Sequence, residues 1–468
     1  MNITGEGAHR AAPLFLKMNE ISRIIKLLYL SLLMGIPFVT GSVYVQPFMT
    51  APALLLLAAG LIIRFVKRDP APPLAGVILF LFWCAALLSP QKALSLETLS
   101  ALMLSMGALF LFEKRDEKIL TPFLVGYSFL MGLYVGFQFL FIYPKLLNEV
   151  SDPAQLAILS GERFFGTFAL PNIYSFFLLA VIILSLQKAA NRGGRIYLVS
   201  VAFNIVMLLL TRSFIATLIL FGTAVLFAFQ RGKKPGWILT GAALPAGALF
   251  ILLRGWESLG HSLFFRLSNY ISALKIFRDY PLTGVGLNHY DLFYPLYRVP
   301  GANYVHNAHS LPLQLMADLG GAGILIFFLL TALLWKTRKT SLFPLLAALM
   351  LHFSLDLTFY IPSVAVLFWA WAGIALDESG ETREREPLLK RIRQPLLLGL
   401  VLATVAVSLI HPPLHPFERI SRELREDVGQ KKLYSHFIQM SRLNRWADPE
   451  ENPEVRSQYD AYKEIWQK

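Results

Sequence analysis

Long apolar runs alternate with short cationic connections along most of this chain. The runs are roughly 18 to 22 residues long, which is the length at which an α-helix crosses the hydrocarbon core of a bilayer. A helix satisfies its own backbone hydrogen bonds, so lipid selects helices for such runs. Only 16% of the residues are charged, whereas soluble domains are nearer a quarter. The sequence therefore predicts an all-α polytopic integral membrane protein.

Hydropathy predicts about 13 transmembrane helices, within a range of about 12 to 14, and a large periplasmic loop between helices 9 and 10. The predicted spans are 27–45, 50–66, 73–89, 93–112, 119–142, 171–187, 196–211, 213–230, 236–253, 311–335, 341–360, 363–376 and 395–410. The organisation that follows is a cytoplasmic tail at 1–26, spans at 27–253, a periplasmic catalytic loop at 254–310, spans at 311–410 and a periplasmic tail at 411–468.

The distribution of positive charge predicts the orientation in the membrane. Alternate connections hold more than half of the chain's 43 lysine and arginine residues, and connections rich in these residues face the cytoplasm. The opposite set, which includes 143–170 and 254–310, is then periplasmic. Because the basic residues are spread between apolar runs and form no single patch, the predicted partner is the lipid bilayer and not nucleic acid. The single cysteine, Cys84, excludes an intrachain disulfide and a CxxC metal site.

Residues 266–320, which we call the His/Arg loop, form the longest polar interruption of the apolar pattern. Apolar or aromatic residues at 267, 270, 271, 274 and 277 have helical spacing and predict an amphipathic helix along the outer interface, with Arg266 at its start. Gly284 and Gly286 then follow Pro281. This pattern favours a tight turn, and a phosphate cradle is the alternative.

His309 lies where the loop enters the tenth predicted span. Ser310 is a natural N-cap and Pro312 falls in the first turn, so His309 immediately precedes a helix N-terminus. The positive end of a helix disfavours imidazolium, and a neutral histidine can accept a proton from a hydroxyl as a general base. The alternative is that His306 and His309 are interfacial side chains paired with backbone or water.

Three further residues are predicted to reach the same outer side. Arg212 ends the seventh span at membrane level, where an arginine is costly unless it meets an anion or an aqueous cavity. Snorkelling to lipid headgroups is the alternative. Arg163 precedes the entry to the sixth span, and Asp356 follows His352 by one helical turn on one face of span eleven. A carboxylate at such a depth pairs with a cation or orients a histidine.

Arginines and a histidine at membrane depth are suited to a substrate that has a lipid tail and a diphosphate head. Arginine binds diphosphate oxygens through two parallel hydrogen bonds and stays charged when partly desolvated. The outer side shows no carboxylate cluster of the kind that holds Mg²⁺ or Mn²⁺. The sequence therefore predicts no metal and no cofactor, and it leaves the arginines to stabilise a departing diphosphate.

Four motifs together resemble the O-antigen ligase and O-antigen polymerase superfamily of bacterial envelope glycosyltransferases. They are RFFGTFALPN, the TRS after span seven, an arginine followed by fourteen residues and PLTGVGLNHY, and HS followed by nine residues and Gly320. The resemblance covers predicted spans five to twelve. It implies a multi-pass protein of the bacterial inner membrane, with a periplasmic active site and metal-independent, inverting transfer of glycan from undecaprenyl diphosphate.

The resemblance also assigns roles to residues. Arg212 and Arg266 match the diphosphate-binding arginines, and His309 matches the catalytic histidine that activates the acceptor hydroxyl. The residues of secondary importance are Arg163, His306, Asn307, Gly320 and Asp356.

The identity of the acceptor separates the remaining functional alternatives. A ligase transfers the glycan to lipid A core or another glycan acceptor, whereas a repeat-unit polymerase uses a second lipid-linked chain. A membrane transporter that uses the same arginines is a non-enzyme alternative, although the chain lacks paired halves with matching interrupted helices. Members of the superfamily often have twelve spans with both ends in the cytoplasm, and the predicted thirteenth span and outer tail depart from that pattern.

Overall fold

The structure, a computed structural model, describes residues 6–40, 47–66, 73–90, 92–142, 144–145, 163–168, 170–192, 194–231, 256–303, 305–356 and 358–380, with parts of 395–407. α-Helices are the main regular elements of these ranges. In chain order they are α1 (Glu6–Thr40), α2 (Pro47–Val66), α3 (Pro73–Leu88), α4 (Lys92–Leu111), α5 (Glu117–Phe137), α6 (Pro171–Arg192), α7 (Arg195–Leu210), α8 (Phe214–Arg231), α9 (Trp256–Asp279), α10 (Tyr290–Tyr297), α11 (Leu311–Lys336), α12 (Phe343–Leu355) and α13 (Pro362–Glu378).

The predicted spans one to eight and ten to twelve each overlap one of these helices. Among the described residues, the stretches long and apolar enough to cross a membrane are Leu94–Leu111, Lys114–Ile142, Pro171–Ala190 and Leu311–Lys336. Several shorter apolar helices accompany them. The fold is that expected of a helical membrane protein, and the count of thirteen spans stays a prediction. Span nine at 236–253, most of span thirteen at 395–410 and the tail at 411–468 lie outside the described residues.

Helix α13 forms the centre of the bundle. Its residues from Pro362 to Leu376 are all buried, and a helix that is apolar all round belongs inside a protein or a membrane. It packs against α1, α4, α6 and α12. Outer helices expose apolar side chains such as Leu133 of α5 and Val206 of α7, which a bilayer would cover.

A buried polar cluster joins α5, α6 and α7. The Asn204 amide of α7 donates to the Ser128 hydroxyl of α5 at 3.1 Å, and the hydroxyls of Ser185 in α6 and Ser200 in α7 are 3.0 Å apart. Hydrogen bonds of this kind between membrane helices contribute roughly 0.6 kcal/mol each on average. The cluster therefore helps to set which faces of these three helices meet.

Among the described residues, ion pairs join connections that the charge bias assigns to the same set. At the end predicted to be cytoplasmic, Lys26 Nζ lies 2.7 Å from Asp116 Oδ2, and Lys188 pairs with Glu117. At the other end, the Asn288 amide donates to the Thr98 hydroxyl at 3.3 Å and ties the His/Arg loop to α4. The side of the membrane on which each end lies stays a prediction.

The His/Arg loop folds around a small hydrophobic core of its own. Its buried members include Ala273, Ile276, Val285, Tyr290, Phe293, Tyr294, Val305, Ala308 and Ala317. These residues come from α9, from α10, from the segments beside them and from α11. The backbone that leads to His309 is therefore held by packing as well as by hydrogen bonds.

Helix α11 is broken at Gly320, whose φ of 59° and ψ of −133° are not helical. Next to the break, the Ala317 and Asp318 carbonyls accept hydrogen bonds from the amides of Val285 at 3.1 Å and Gly286 at 2.8 Å. A Cβ on Gly284 would overlap the Asp318 backbone. The glycines therefore allow close packing of the turn against α11, and the amides that a phosphate cradle would need are already used.

Two predictions about local structure are wrong. Arg266 does not start a helix, because the chain is already helical from Trp256 and Arg266 lies in the middle of α9. Asp356 does not share a helical face with His352, because α12 ends at Leu355 and the backbone of Asp356 is extended. Helix α12 ends there because Arg266 donates to the Leu355 carbonyl and binds the Asp356 carboxylate. These contacts replace another helical turn.

Candidate functional site

Asp356 is the residue on which the site converges. Its Oδ2 accepts a hydrogen bond from Arg266 Nη2 at 2.8 Å and another from Asn172 Nδ2 at 2.9 Å. Its Oδ1 lies 3.4 Å from His309 Nδ1. The structure therefore brings together three of the residues selected from the sequence, Arg266, His309 and Asp356, although they come from widely separated parts of the chain.

The charges of Asp356 and Arg266 support each other. Burial would lower the pKa of the Arg266 guanidinium, and the Asp356 carboxylate more than offsets that effect and raises it. Both groups stay ionised, and the ion pair remains partly open because the Arg266 side chain is 17% exposed.

His309 occupies an unusual backbone conformation at the entrance to α11. Its φ of 53° is left-handed, and such a conformation in a non-glycine residue costs on the order of 1–3 kcal/mol. The Tyr270 hydroxyl donates to its carbonyl at 3.4 Å, and the amide of the preceding Ala308 donates to Gln314 Oε1 at 2.7 Å. Ser310 takes the predicted N-cap position of α11, although its side chain makes no capping hydrogen bond.

The contact with Asp356 indicates which His309 nitrogen can react. A carboxylate beside Nδ1 favours a proton on that atom, so Nε2 is left as the hydrogen-bond acceptor. The ring is partly buried, with 23% of its side chain exposed. This arrangement is that of a general base oriented by a carboxylate.

Arg212 lies in the short connection between α7 and α8, and its φ of 50° is also left-handed. Its amide donates to the Leu209 carbonyl at 3.0 Å, and the Phe164 amide binds the neighbouring Leu210 carbonyl at 3.1 Å. Helix α8 begins directly afterwards at Phe214, and the positive end of a helix favours an anion nearby. The predicted position of Arg212 at a helix end is thus correct, and its backbone is firmly held.

Arg163 is joined to this connection and contributes to its shape. Its Nε donates to the Thr211 carbonyl at 3.1 Å and its Nη2 donates to Asn172 Oδ1 at 3.3 Å. The Ser213 hydroxyl also donates to Asn172 Oδ1, at 3.2 Å. Both neighbours of Arg212 in the chain are therefore linked to the amide that binds Asp356.

A family model described as O-antigen ligase matches residues 174–328. This part of the chain is similar to the O-antigen ligase family. Arg212, Arg266 and His309 lie inside the match, whereas Arg163 and Asp356 lie outside it. The match supports a ligase-like or polymerase-like activity on a lipid-linked glycan in a membrane. A search of curated proteins finds no match for the chain.

The other residues of secondary importance have different surroundings. His306 Nδ1 lies 3.3 Å from Asp291 Oδ2, and 48% of its side chain is exposed. The Asn307 side-chain oxygen is buried and makes no hydrogen bond with any residue that the structure describes. Gly320 shapes α11, as described above. Their roles in the site stay predictions.

Sequence reasoning missed several residues that support the candidate site. Asp318, fully buried in α11, accepts hydrogen bonds from the amides of Asn288 and Tyr290 at 2.9 and 3.0 Å and from Gln314 Nε2 at 2.9 Å. Asp318 could have been found, because a carboxylate within an apolar span is rare and needs partners. Asn172 and Gln314 gave no comparable signal, since a neutral amide fits many positions.

Two arginine side chains are candidates for binding an anionic group. Arg212 and Arg266 can donate hydrogen bonds to phosphate oxygens. In the described part of the chain, no group of three or more His, Cys, Asp or Glu side chains is arranged to hold a metal ion. The two carboxylate oxygens of Asp356 already contact Arg266, His309 and Asn172.

Proposed function

We propose that this chain is an O-antigen ligase-like glycosyltransferase. It transfers a polysaccharide from undecaprenyl diphosphate to a sugar hydroxyl of lipid A core, at the periplasmic face of the bacterial inner membrane. The observation that carries the proposal is the shared carboxylate: Asp356 contacts His309 through one oxygen and Arg266 through the other. A base and a diphosphate-binding group are thereby held side by side.

In the proposed reaction, His309 Nε2 takes the proton of the acceptor hydroxyl as its oxygen attacks the anomeric carbon of the donor sugar. The bond between that carbon and the diphosphate oxygen breaks, and undecaprenyl diphosphate leaves with the electron pair. Attack on the face opposite the leaving group inverts the anomeric configuration. Asp356 stabilises the imidazolium that forms, as the carboxylate does in other oriented-histidine sites.

The departing diphosphate needs positive charge close to its oxygens. Arg212 and Arg266 supply this charge in the proposal, and no metal ion is required for the step. Fixed cations that meet charge as it develops, in a site partly removed from water, lower the barrier more than mobile ones do. The ion pair with Asp356 holds the Arg266 side chain in place before substrate arrives.

Replacement of His309 tests the base. His309→Ala is expected to lower kcat for glycan transfer by about 10²- to 10⁴-fold, the usual contribution of a general base, and to leave binding of undecaprenyl diphosphate largely intact. His261→Ala is the matched control, because His261 is exposed on α9 in the same region. Unchanged turnover in His309→Ala would contradict the proposed role of His309 as the general base.

Arg212→Lys tests whether the Arg212 guanidinium binds the diphosphate through a fork, that is, through two parallel hydrogen bonds. The variant keeps the charge and loses the fork. A hydrogen bond to a charged group contributes about 1.5–3 kcal/mol, so kcat/KM for the donor is expected to fall roughly 10- to 100-fold. Arg278→Lys is the control, since the Arg278 side chain is 76% exposed. Full activity of Arg212→Lys would favour snorkelling to lipid headgroups.

Reconstitution identifies the acceptor. The purified protein is supplied with a labelled undecaprenyl-diphosphate glycan and lipid A core in liposomes. Label on lipid A core is the expected result for a ligase. A lengthened lipid-linked glycan would instead identify a repeat-unit polymerase, and movement of the label across the bilayer with no new bond would identify a transporter.

A further inference from the structure

Asn172, at the start of α6, touches both halves of the proposed site. Its Oδ1 accepts hydrogen bonds from Arg163 Nη2 at 3.3 Å and from the Ser213 hydroxyl at 3.2 Å. Its Nδ2 donates to Asp356 Oδ2 at 2.9 Å. A single amide thus spans the gap between the connection that carries Arg212 and the carboxylate that serves His309 and Arg266.

The chemistry of its partners defines the orientation of the Asn172 amide. A guanidinium can only donate hydrogen bonds, and an ionised carboxylate can only accept them. The oxygen of Asn172 must therefore face Arg163 and the nitrogen must face Asp356, because the flipped amide would oppose like groups on both sides. No other neutral side chain of the same length offers an acceptor and a donor in this arrangement.

On the Arg212 side, Asn172 reaches both flanking residues. Ser213 binds it directly, and Thr211 is reached through Arg163, whose Nε donates to the Thr211 carbonyl at 3.1 Å. A left-handed residue persists only where its surroundings over-determine the backbone. These contacts meet that requirement for Arg212, whose φ is 50°.

On the Asp356 side, Asn172 determines which oxygen remains for His309. Asn172 and Arg266 both donate to Oδ2, at 2.9 and 2.8 Å. Oδ1 is left facing the His309 ring at 3.4 Å. If the Asn172 donor were lost, the carboxylate would be free to rotate toward Arg266, and the orientation of the base would be lost with it.

We propose that Asn172 is a positioning residue that sets the spacing between Arg212 and the group formed by Arg266, Asp356 and His309. This inference rests on the proposed function, because the spacing matters only if both arginines hold one diphosphate. Asn172 itself acts through its neighbours and need not touch the substrate.

Asn172→Asp gives a readout that a merely structural role would not produce. The aspartate keeps the acceptor for Arg163 and Ser213 but replaces the donor to Asp356 by an oxygen. Two carboxylates at about this separation cannot both ionise comfortably, so the pair retains a proton at low pH and loses it as the pH rises. The variant is expected to approach native activity at the acid end and to lose activity with rising pH, where the native enzyme does not.

Binding provides a second readout that does not need turnover. Affinity for undecaprenyl diphosphate in detergent micelles is measured for the native protein, Asn172→Ala and Asn204→Ala. Asn204 is the control because it is a buried, hydrogen-bonded asparagine in the polar cluster of α5, α6 and α7. Asn172→Ala is expected to weaken binding about tenfold or more, the usual effect on an equilibrium constant when a hydrogen bond to a charged group is lost. Asn204→Ala is expected to bind as the native protein does.

The outcomes separate this inference from the proposed function. A pH profile of Asn172→Asp parallel to the native one overturns the inference, and so does equal binding by the two alanine variants. If the native protein binds undecaprenyl diphosphate and transfers no glycan, the proposed function fails and the binding comparison alone decides the role of Asn172. If the native protein does not bind the lipid at all, both fail.

Discussion

Asp356 holds the base and one arginine through different oxygens, so its charge and its shape can be tested separately. Asp356→Asn keeps the shape and removes the charge. An amide nitrogen facing His309 Nδ1 would favour the tautomer with its proton on Nε2, which cannot then accept one from the acceptor. We expect kcat for glycan transfer to fall by about 10²- to 10⁴-fold, as it does when an oriented histidine loses its carboxylate.

The same substitution leaves the Arg266 cation without its counter-ion, and breaking a buried ion pair on one side costs about 3–5 kcal/mol. Folding is therefore checked by size-exclusion chromatography before rates are compared. Asp377→Asn is the control, because Asp377 accepts a hydrogen bond from the Lys114 amide at the opposite end of the bundle. A native kcat in folded Asp356→Asn would contradict the role given to this carboxylate.

At this scale, the sequence could predict the charged members of the site and not the neutral ones. Arg212 and Asp356 stand out because ionised groups near lipid are costly and require partners. The partners themselves were not predictable, since Asp356 meets Arg266 and Asn172 only through the folded arrangement of α6, α9 and α12. Asn172 was part of a recognised motif, but nothing in the sequence separated it from an ordinary residue at a helix start.

At the scale of elements, the break in α11 couples the loop to the bundle. Gly320 has a φ of 59°, and a Cβ there would lie 2.6 Å from the Leu282 carbonyl carbon. Gly320→Ala is therefore expected to lower the free energy of unfolding by about 1–3 kcal/mol from overpacking alone. The backbone conformation, which is found almost only in glycine, adds further strain. Activity should fall as well, because the turn at 284–286 packs against this break.

The neighbouring glycine provides the control for that prediction. A Cβ at Gly321 would meet only the Pro281 carbonyl oxygen, at an ordinary distance of 3.8 Å. Gly321→Ala is expected to be neutral or slightly stabilising, since alanine is favoured over glycine in helices by roughly 1 kcal/mol. Thermal unfolding in detergent compares the two variants. Equal melting temperatures would show that the break tolerates a side chain.

Helix positions were largely predictable because lipid forces apolar runs into helices. Helix ends were less predictable: α12 stops at Leu355, whose carbonyl accepts a hydrogen bond from the distant Arg266. The central position of α13 in the bundle could not be predicted from the sequence either. In water an apolar face indicates burial, but lipid-facing and buried helices are both apolar, so composition does not distinguish α13 from an outer helix such as α3.

For the whole molecule, the decisive prediction concerns the side of the membrane on which the site lies. Cys84 is the only cysteine of the chain, so Cys84→Ser provides a background without thiols. Leu282→Cys then reports on the His/Arg loop, where Leu282 is 83% exposed. Arg338→Cys reports on the opposite end, just beyond α11, where Arg338 is exposed.

The charge bias places Leu282 outside and Arg338 in the cytoplasm, because connections rich in lysine and arginine are retained there. A membrane-impermeant maleimide is therefore expected to label Leu282→Cys in intact spheroplasts and Arg338→Cys only after permeabilisation. Labelling of both variants after permeabilisation confirms that each thiol is reactive. The reverse pattern would put His309 on the cytoplasmic side, where a lipid A core acceptor exposed at the periplasmic face could not reach it, and the proposed ligase reaction would fail with the topology.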